Sequence, residues 1–354
     1  MNFNIFRRQR AVVGLDIGSS SVKAVELAPS GKSFKVAAFA TEAVPPDAIV
    51  DGAIIDGGAV AEAIRRIFER RVFKAREVAA SLSGSAVIVK KISLPVMTPA
   101  ELYESIYWEA EQYIPFDVQD VNLDYQILEA GAPDSKGTMD VLLVAAKKEK
   151  IADYTGVIAQ AGRTPVIVDV DAFALQNAYE ANYGIDAGAV VALLNAGASA
   201  INVNIIVGDQ SVFTRDISLG GNAYTEAVQR ELNLSFEDAE LVKRGAAIDG
   251  VDPEDVRAVL QATSENVLLE VQKTFDFFKS TTGLDQINRI MISGGAGRVA
   301  GFEDVLRERF DTPIELLDPF RQIAFNGDAG ADPADVAPTA AVAVGLALRR
   351  GGDR

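Results

Sequence analysis

One short pattern occurs twice in this chain, at an offset of 179 residues, and it restricts the fold more than any other feature. Residues 11–27 read Ala-Val-Val-Gly-Leu-Asp-Ile-Gly-Ser-Ser-Ser-Val-Lys-Ala-Val-Glu-Leu. Residues 189–206 read Ala-Val-Val-Ala-Leu-Leu-Asn-Ala-Gly-Ala-Ser-Ala-Ile-Asn-Val-Asn-Ile-Ile. Each is an apolar strand, then Asp or Asn, one residue, Gly, small residues and a second strand, so that Asp16 and Gly18 fall on Asn195 and Gly197. Such a hairpin offers backbone N–H groups and small hydroxyls at its tip, beside an acidic or amide side chain, which suits a phosphate and its metal ion. Two copies imply two similar lobes clamping one nucleotide.

The length of 354 residues exceeds one ordinary core and fits two domains. A formal charge of −16 argues against broad nucleic-acid binding, which needs clustered Lys and Arg. The absence of Cys and His removes disulfides, zinc sites, thiol nucleophiles and His-dependent triads. Acid–base chemistry then falls to Asp, Glu, Lys or Tyr. The opening Met-Asn-Phe-Asn-Ile-Phe-Arg-Arg-Gln-Arg has no apolar core of signal-peptide length, so a cytoplasmic location is expected. Ala187 to Gly208 carries no charge until Asp209 and imitates a membrane span. Asn195, Asn202 and Asn204 would be costly in lipid, and a buried hairpin is the reading.

Residues 11–27 and 33–42 are predicted as strands of a meander, Gly58–Arg71 as an amphipathic helix, and Val78–Leu82 and Ala86–Ile92 as strands. Thr98-Pro99-Ala100-Glu101 reads as a capped helix start, with Leu102, Ile106, Ala110 and Tyr113 inward. Trp108 lies off that stripe; it either packs on another element or anchors a partner. Strands are expected at 122–128 and 139–147 around a turn at 131–137. Helices follow at 149–160, 172–183, 223–232, 235–244, 255–279, 302–310 and 339–349, and strands at 166–170, 211–218 and 287–292. Residues 324–336 read as a surface loop.

Several residues are candidates for chemistry. Asp16, flanked by Leu15 and Ile17, either contacts a metal through water or caps a turn. Gly18, Ser19, Ser20 and Ser21 are placed to donate to phosphate oxygens, and Lys23 on the returning strand to meet the same charge. Asn195, Gly197 and Ala198 form the second tip. Gly220-Gly221 precedes a helix and offers amides to an anion, or is a plain turn. Gly294, Gly295, Ala296 and Arg298 lie in a strand-to-helix turn whose bare backbone admits a flat ring, or is only a tight turn.

This order of motifs resembles the actin, heat-shock chaperone and sugar-kinase ATPase superfamily. Val13–Lys23 looks like its first phosphate loop, Leu193–Ser199 the second, Val168–Tyr179 and Ala337–Leu348 the connecting segments, and Ile292–Phe302 the adenosine loop. Glu240 and Lys243 resemble the helix that touches ribose and base. Leu15 to Leu27, with Glu109-Ala110-Glu111-Gln112-Tyr113-Ile114-Pro115-Phe116-Asp117, is similar to the PilM family of type IV pilus assembly. An inserted subdomain at about 76–150 also resembles that family and FtsA. The resemblance implies an α/β, actin-like (ribonuclease H-like), two-lobed fold. Lobe I would take residues 1–185 plus 337–354, and lobe II residues 186–336.

The resemblance further implies ATP with Mg2+, the metal held through water by Asp16 and Asn195. It implies that the N-terminal cytoplasmic tail of PilN binds in a groove beside the insert, recruiting the chain to the inner membrane. Pilus motor ATPases and self-association are further partners it suggests. No nucleic acid is expected, and membrane association only through partners. Relatives usually carry Asp where this chain has Asn195, so slow or absent ATP hydrolysis is expected, and Asn195→Asp is expected to raise it. Asp171 is either the base that orients water or a helix cap. An FtsA-like filament or divisome protein is the alternative function. A metabolite kinase and a chaperone fit less well, the first for want of an acid at 195, the second for want of a peptide-binding domain after the last helix.

Overall fold

The computed structural model describes residues 11–70, 73–129, 137–325 and 329–350. The opening basic segment, most of the 131–137 turn and the last four residues lie outside that range. A six-stranded sheet has the order β10 (Thr164–Val170), β6 (Glu77–Leu82), β1 (Val13–Ile17), β2 (Ser21–Ser30), β3 (Ser33–Ala43), β16 (Ala324–Phe325). A five-stranded sheet has the order β13 (Gln210–Ile217), β12 (Ile201–Val207), β11 (Val190–Ala196), β14 (Arg289–Ser293), β15 (Ile314–Leu316). The insert is a third sheet, β7 (Val87–Pro95), β9 (Thr138–Lys147), β8 (Val121–Glu129), and a small hairpin joins β4 (Ile49–Val50) to β5 (Ala53–Ile54).

The two repeats have become the same substructure. β1 and β2 are antiparallel, as are β11 and β12, and the first strand of each hairpin pairs in parallel with a strand from far along the chain. The charge-free stretch is therefore a sheet hairpin. Its buried amide Asn204 is satisfied, donating to the Ala172 carbonyl at 2.8 Å and accepting from Ser211 Oγ at 2.7 Å. Among the described residues no helix is long and apolar enough to cross a membrane.

Helices α1 (Gly57–Glu69) and α3 (Lys148–Gln160) cover the outer face of the larger sheet. Helices α5 (Gly221–Leu232), α6 (Phe236–Lys243), α7 (Pro253–Thr282) and α8 (Phe302–Arg309) cover the outer face of the smaller one. Between the sheets lie α4 (Asp171–Tyr183) and α9 (Pro333–Ala347), whose apolar faces share one core with Val25, Phe39, Leu193 and Met291. They cross so closely that a Cβ at Gly345 would lie 1.7 Å from the Ala174 carbonyl oxygen, and one at Gly14 only 2.1 Å from that of Ala343. The small residues of α9 thus serve backbone contact.

Helix α9 begins six residues before the expected Thr339, inside the stretch read as a loop. Asp332 caps it, accepting from the Ala334 amide at 2.9 Å, and Pro333 takes the first turn. That Asp-Pro start was legible; the Pro338 that follows masked it, because an interior proline ordinarily ends a helix. On α2 (Pro99–Ala110) the Thr98/Glu101 capping box forms as expected, and Leu102, Ile106 and Ala110 are buried. Tyr113 lies past the helix end. Trp108 is not packed into a core among the described residues: it is 74% exposed, and Tyr103 and Tyr107 of the same helix are exposed as well.

Candidate functional site

The hairpin tips are built alike. The Gly18 amide donates to the Ser21 carbonyl at 3.2 Å, and the Gly197 amide to the Ala200 carbonyl at 2.9 Å, the equivalent bond at the 179-residue offset. The tips face one another across the two lobes, where Ser19 Oγ donates to Ser199 Oγ at 3.0 Å. Ser20 and Ser21 flank this meeting point. Small side chains suit these tips because each turns within four residues, with the Asp16 carboxylate and Lys23 ammonium close beside Gly18 in the first.

Asp16 is opposite Lys23 in the β1–β2 register, and its carboxylate accepts from Lys23 Nζ at 3.0 Å with both side chains largely buried. It caps no turn; it is ion-paired, which offsets the cost of burying a carboxylate. The same offset carries Asp16 and Lys23 onto Asn195 and Asn202, which are likewise register partners. In lobe II an amide pair therefore replaces the ion pair. Asn195 Nδ2 donates to Asn202 Oδ1 at 3.1 Å, and Asn202 Nδ2 donates to Asp216 Oδ1 at 2.8 Å. Asp216 is the next residue of the row, opposite Asn202 on β13. It also accepts from the Gly84 amide at 2.6 Å, in the loop that leads into the insert. Asp216 and Asn202 were missed from sequence; extending the offset along both strands would have found Asn202.

Asp171 is the first residue of α4, and Val170, not Asp171, occupies the cap position. Its carboxylate accepts from Ser81 Oγ instead of capping the helix. Burial and the nearby Asp16 carboxylate push its carboxyl up to about 6, against the hydroxyls of Ser81 and Ser83.

The glycine turns converge on the second tip. Gly294 has φ of +92°, and a Cβ there would lie 2.2 Å from the Ala196 carbonyl oxygen, so β14 leaves the sheet where only glycine fits. Gly295 and Ala296 follow, Ala296 adjoining Gly221, and the Gly294 amide donates to the Pro338 carbonyl on α9 at 2.6 Å. Arg298 is exposed and reaches the Asp335 carbonyl at 3.3 Å. The first amides of α5 are not free for an anion: Gly221 N–H donates to the Gly197 carbonyl at 2.9 Å and Asn222 N–H to that of Ala198 at 2.8 Å. Gly220 and Gly221 brace the second tip.

Glu240 and Lys243 form an ion pair joined by Thr225 Oγ1, and Lys243 Nζ also donates to the Gly221 carbonyl at 3.1 Å. Burial pushes the Glu240 carboxyl up, but the Lys243 ammonium and the Thr225 hydroxyl outweigh it and hold it below its ordinary value. Burial likewise lowers Lys243, with Glu240 opposing. The pair ties α6 to α5 behind the glycine turns.

The donor set at the tips is hydroxyls and backbone amides, one paired carboxylate from lobe I and one amide from lobe II. Among the described residues no group of three Asp or Glu is placed to hold a metal. Such a set fits a cation carried by phosphates and water better than one in a protein cage.

The family described as type IV pilus assembly protein PilM matches residues 14–351. A chain of the PilM-PilN type IV pilus biogenesis complex is similar at 28% identity and a TM-score of 0.86, over 98% of this chain and 100% of that one. The ethanolamine utilization protein EutJ from Carboxydothermus hydrogenoformans aligns at 15% identity and TM-score 0.57, over 96% of this chain and 89% of its own. MreB 5 of Spiroplasma citri, bound to AMPPNP, aligns at 15% and 0.52, over 96% and 95%. These likenesses make the fold that of the actin-like ATPases, as the order of motifs implied.

Proposed function

The chain belongs to the family of the type IV pilus assembly protein PilM, and on that footing we propose that it is a cytoplasmic adaptor of the pilus machine, binding ATP with Mg2+ between its lobes and the N-terminal tail of PilN beside its insert. The observation that carries the nucleotide half is the meeting of two like hairpin tips, Ser19 against Ser199, with the Gly220-Gly221 and Gly294 turns packed against the second of them. The partner half rests on family membership and on the likeness to a chain of the PilM–PilN complex.

Each residue then has a chemical task. Ser19, Ser20, Ser21 and Ser199 donate to phosphate oxygens, and Lys23 turns from Asp16 to the phosphates. Asp16 and Asn195, one from each hairpin, would hold the hydrated cation that a nucleotide carries. Gly294 to Ala296 supply a side-chain-free face for the base. A bound nucleotide would supply negative charge and a cation for both hairpin tips to hold, favouring one lobe arrangement over another. Asp171, with its carboxyl near 6, is placed to hold or release a proton close to neutral pH. Asn195 adds no charge, so turnover is slow or absent. PilN brings the chain to the inner membrane face, and the exposed Tyr103, Tyr107 and Trp108 give the insert an aromatic surface for protein contact.

Calorimetry on the full chain tests both halves. ATP with Mg2+ and a synthetic PilN N-terminal peptide should each bind, and Lys23→Ala should weaken ATP by about tenfold, the scale of one charge-assisted hydrogen bond. Absence of both binding events would refute the reading.

A further inference from the structure

We propose that Asp216 is a positioning residue: its carboxylate fixes the orientation of the Asn195 amide and ties that orientation to the root of the insert. The proposal rests on the nucleotide reading of the cleft only for its consequence; the row itself stands on geometry. Asn195, Asn202 and Asp216 lie side by side on β11, β12 and β13, joined at 3.1 and 2.8 Å.

An amide can turn either way, presenting NH2 or oxygen to a neighbour, but a carboxylate only accepts. Asp216 therefore obliges Asn202 to turn its NH2 toward β13, which leaves the Asn202 oxygen facing β11. Asn195 must then give its own NH2 to Asn202. What remains for the cleft is the Asn195 oxygen, whose other contact is Ser293 Oγ at a long 3.4 Å. Where the first hairpin carries the carboxylate of Asp16, the second carries the amide of Asn195. The carboxylate of Asp216 lies two strands away, and hydrogen-bond polarity passes an acceptor back to the cleft. An acceptor is what metal-bound water requires; an inverted amide would present hydrogens to it.

The second oxygen of Asp216 holds the Gly84 amide at 2.6 Å. Gly84 lies between β6 of lobe I and β7 of the insert, so the row ends on the other lobe. Asp216 also stands beside a cavity of about 230 Å³ bounded by β7, β13 and the start of α4. Rotation of one lobe on the other has to stretch or break the Gly84 contact. The lobe arrangement and the Asn195 orientation are thereby coupled through one carboxylate.

Asp216→Asn keeps the shape and removes the acceptor-only end. Because the residue is exposed, Asp216→Ala is expected to fold and serves as the second variant. In calorimetry both should bind ATP in EDTA as the wild type does. With Mg2+ both should lose about five- to tenfold in affinity, the scale of one neutral hydrogen bond. In 15N-asparagine-labelled apo protein, the side-chain amide resonances of Asn195 and Asn202 should both move, and the Gly84 amide should exchange faster. Unchanged Mg2+ dependence in folded variants that bind ATP overturns the proposal. If the wild type binds no ATP, the nucleotide reading falls and the labelled spectra decide the row alone: Asn195 resonances that stay in place overturn it.

Discussion

Reversing the ends of the amide row gives the most direct measurement of its polarity. In Asn195→Asp the row carries a carboxylate at each end with Asn202 between them at about 3 Å from both. Asn202 has one NH2 and one oxygen. Whichever way it turns, that oxygen faces a carboxylate, so one hydrogen bond is lost and an acceptor–acceptor contact replaces it. At about 1–1.5 kcal/mol for each, the single substitution should cost about 2–3 kcal/mol. Asp216→Asn alone removes one of the two acceptors used by Asn202 and Gly84, costing about 1 kcal/mol. The double variant restores every bond with the direction reversed. The new carboxylate at 195 accepts from Asn202, whose oxygen accepts from the new amide at 216, whose oxygen accepts from Gly84. It should lie within about 1 kcal/mol of the wild type, a coupling of about 2–4 kcal/mol in a double-mutant cycle. Urea unfolding must be followed by far-UV circular dichroism, because the chain's one tryptophan, Trp108, is exposed. Costs that add to within about 0.5 kcal/mol would refute the polarity argument. A gain in ATPase rate is expected in the double variant and not in Asn195→Asp alone, which disturbs the row that positions residue 195.

Other perturbations follow from the geometry. Asp171 has a folded-state carboxyl near 6, above its unfolded value near 3.8, so the folded chain binds the extra proton and stability falls as pH rises from about 4 to 6. Asp171→Asn should therefore stabilise the apo chain by about 3 kcal/mol at pH 7, with the gain vanishing below pH 4; a gain that persists there contradicts the assignment. Gly345→Ala drives a methyl into the Ala174 carbonyl and should cost 3 kcal/mol or more, seen as a large drop in thermal midpoint, while Gly162→Ala, which meets no atom but has φ of +78°, should cost about 1 kcal/mol. Trp108→Ala should change stability by less than about 0.5 kcal/mol, and wild-type tryptophan emission should be solvent-like and scarcely shift on unfolding; a blue-shifted folded spectrum would mean the ring is covered.

By itself the sequence determined what depends on local chemistry and on short-range periodicity. The repeated strand–turn–strand pattern fixed both hairpins and their tips, because a sharp turn needs small residues wherever it occurs. The Thr98-Pro99-Ala100-Glu101 cap fixed the start of α2 for the same local reason. Charge-free Ala187 to Gly208 was readable as a sheet because buried amides need partners that lipid cannot offer. Tertiary structure alone decided what each polar side chain meets. Lys23 being spent on Asp16, the α5 amides on the second tip, and Asp171 on Ser81 instead of its helix all depend on residues distant along the chain. Asp216 is the clearest case. Its sequence neighbours, Arg215 and Ile217, carry no sign of a site. It enters the row only because three strands align in register, and a hydrogen bond's direction is set by whichever group at the end of the row cannot donate.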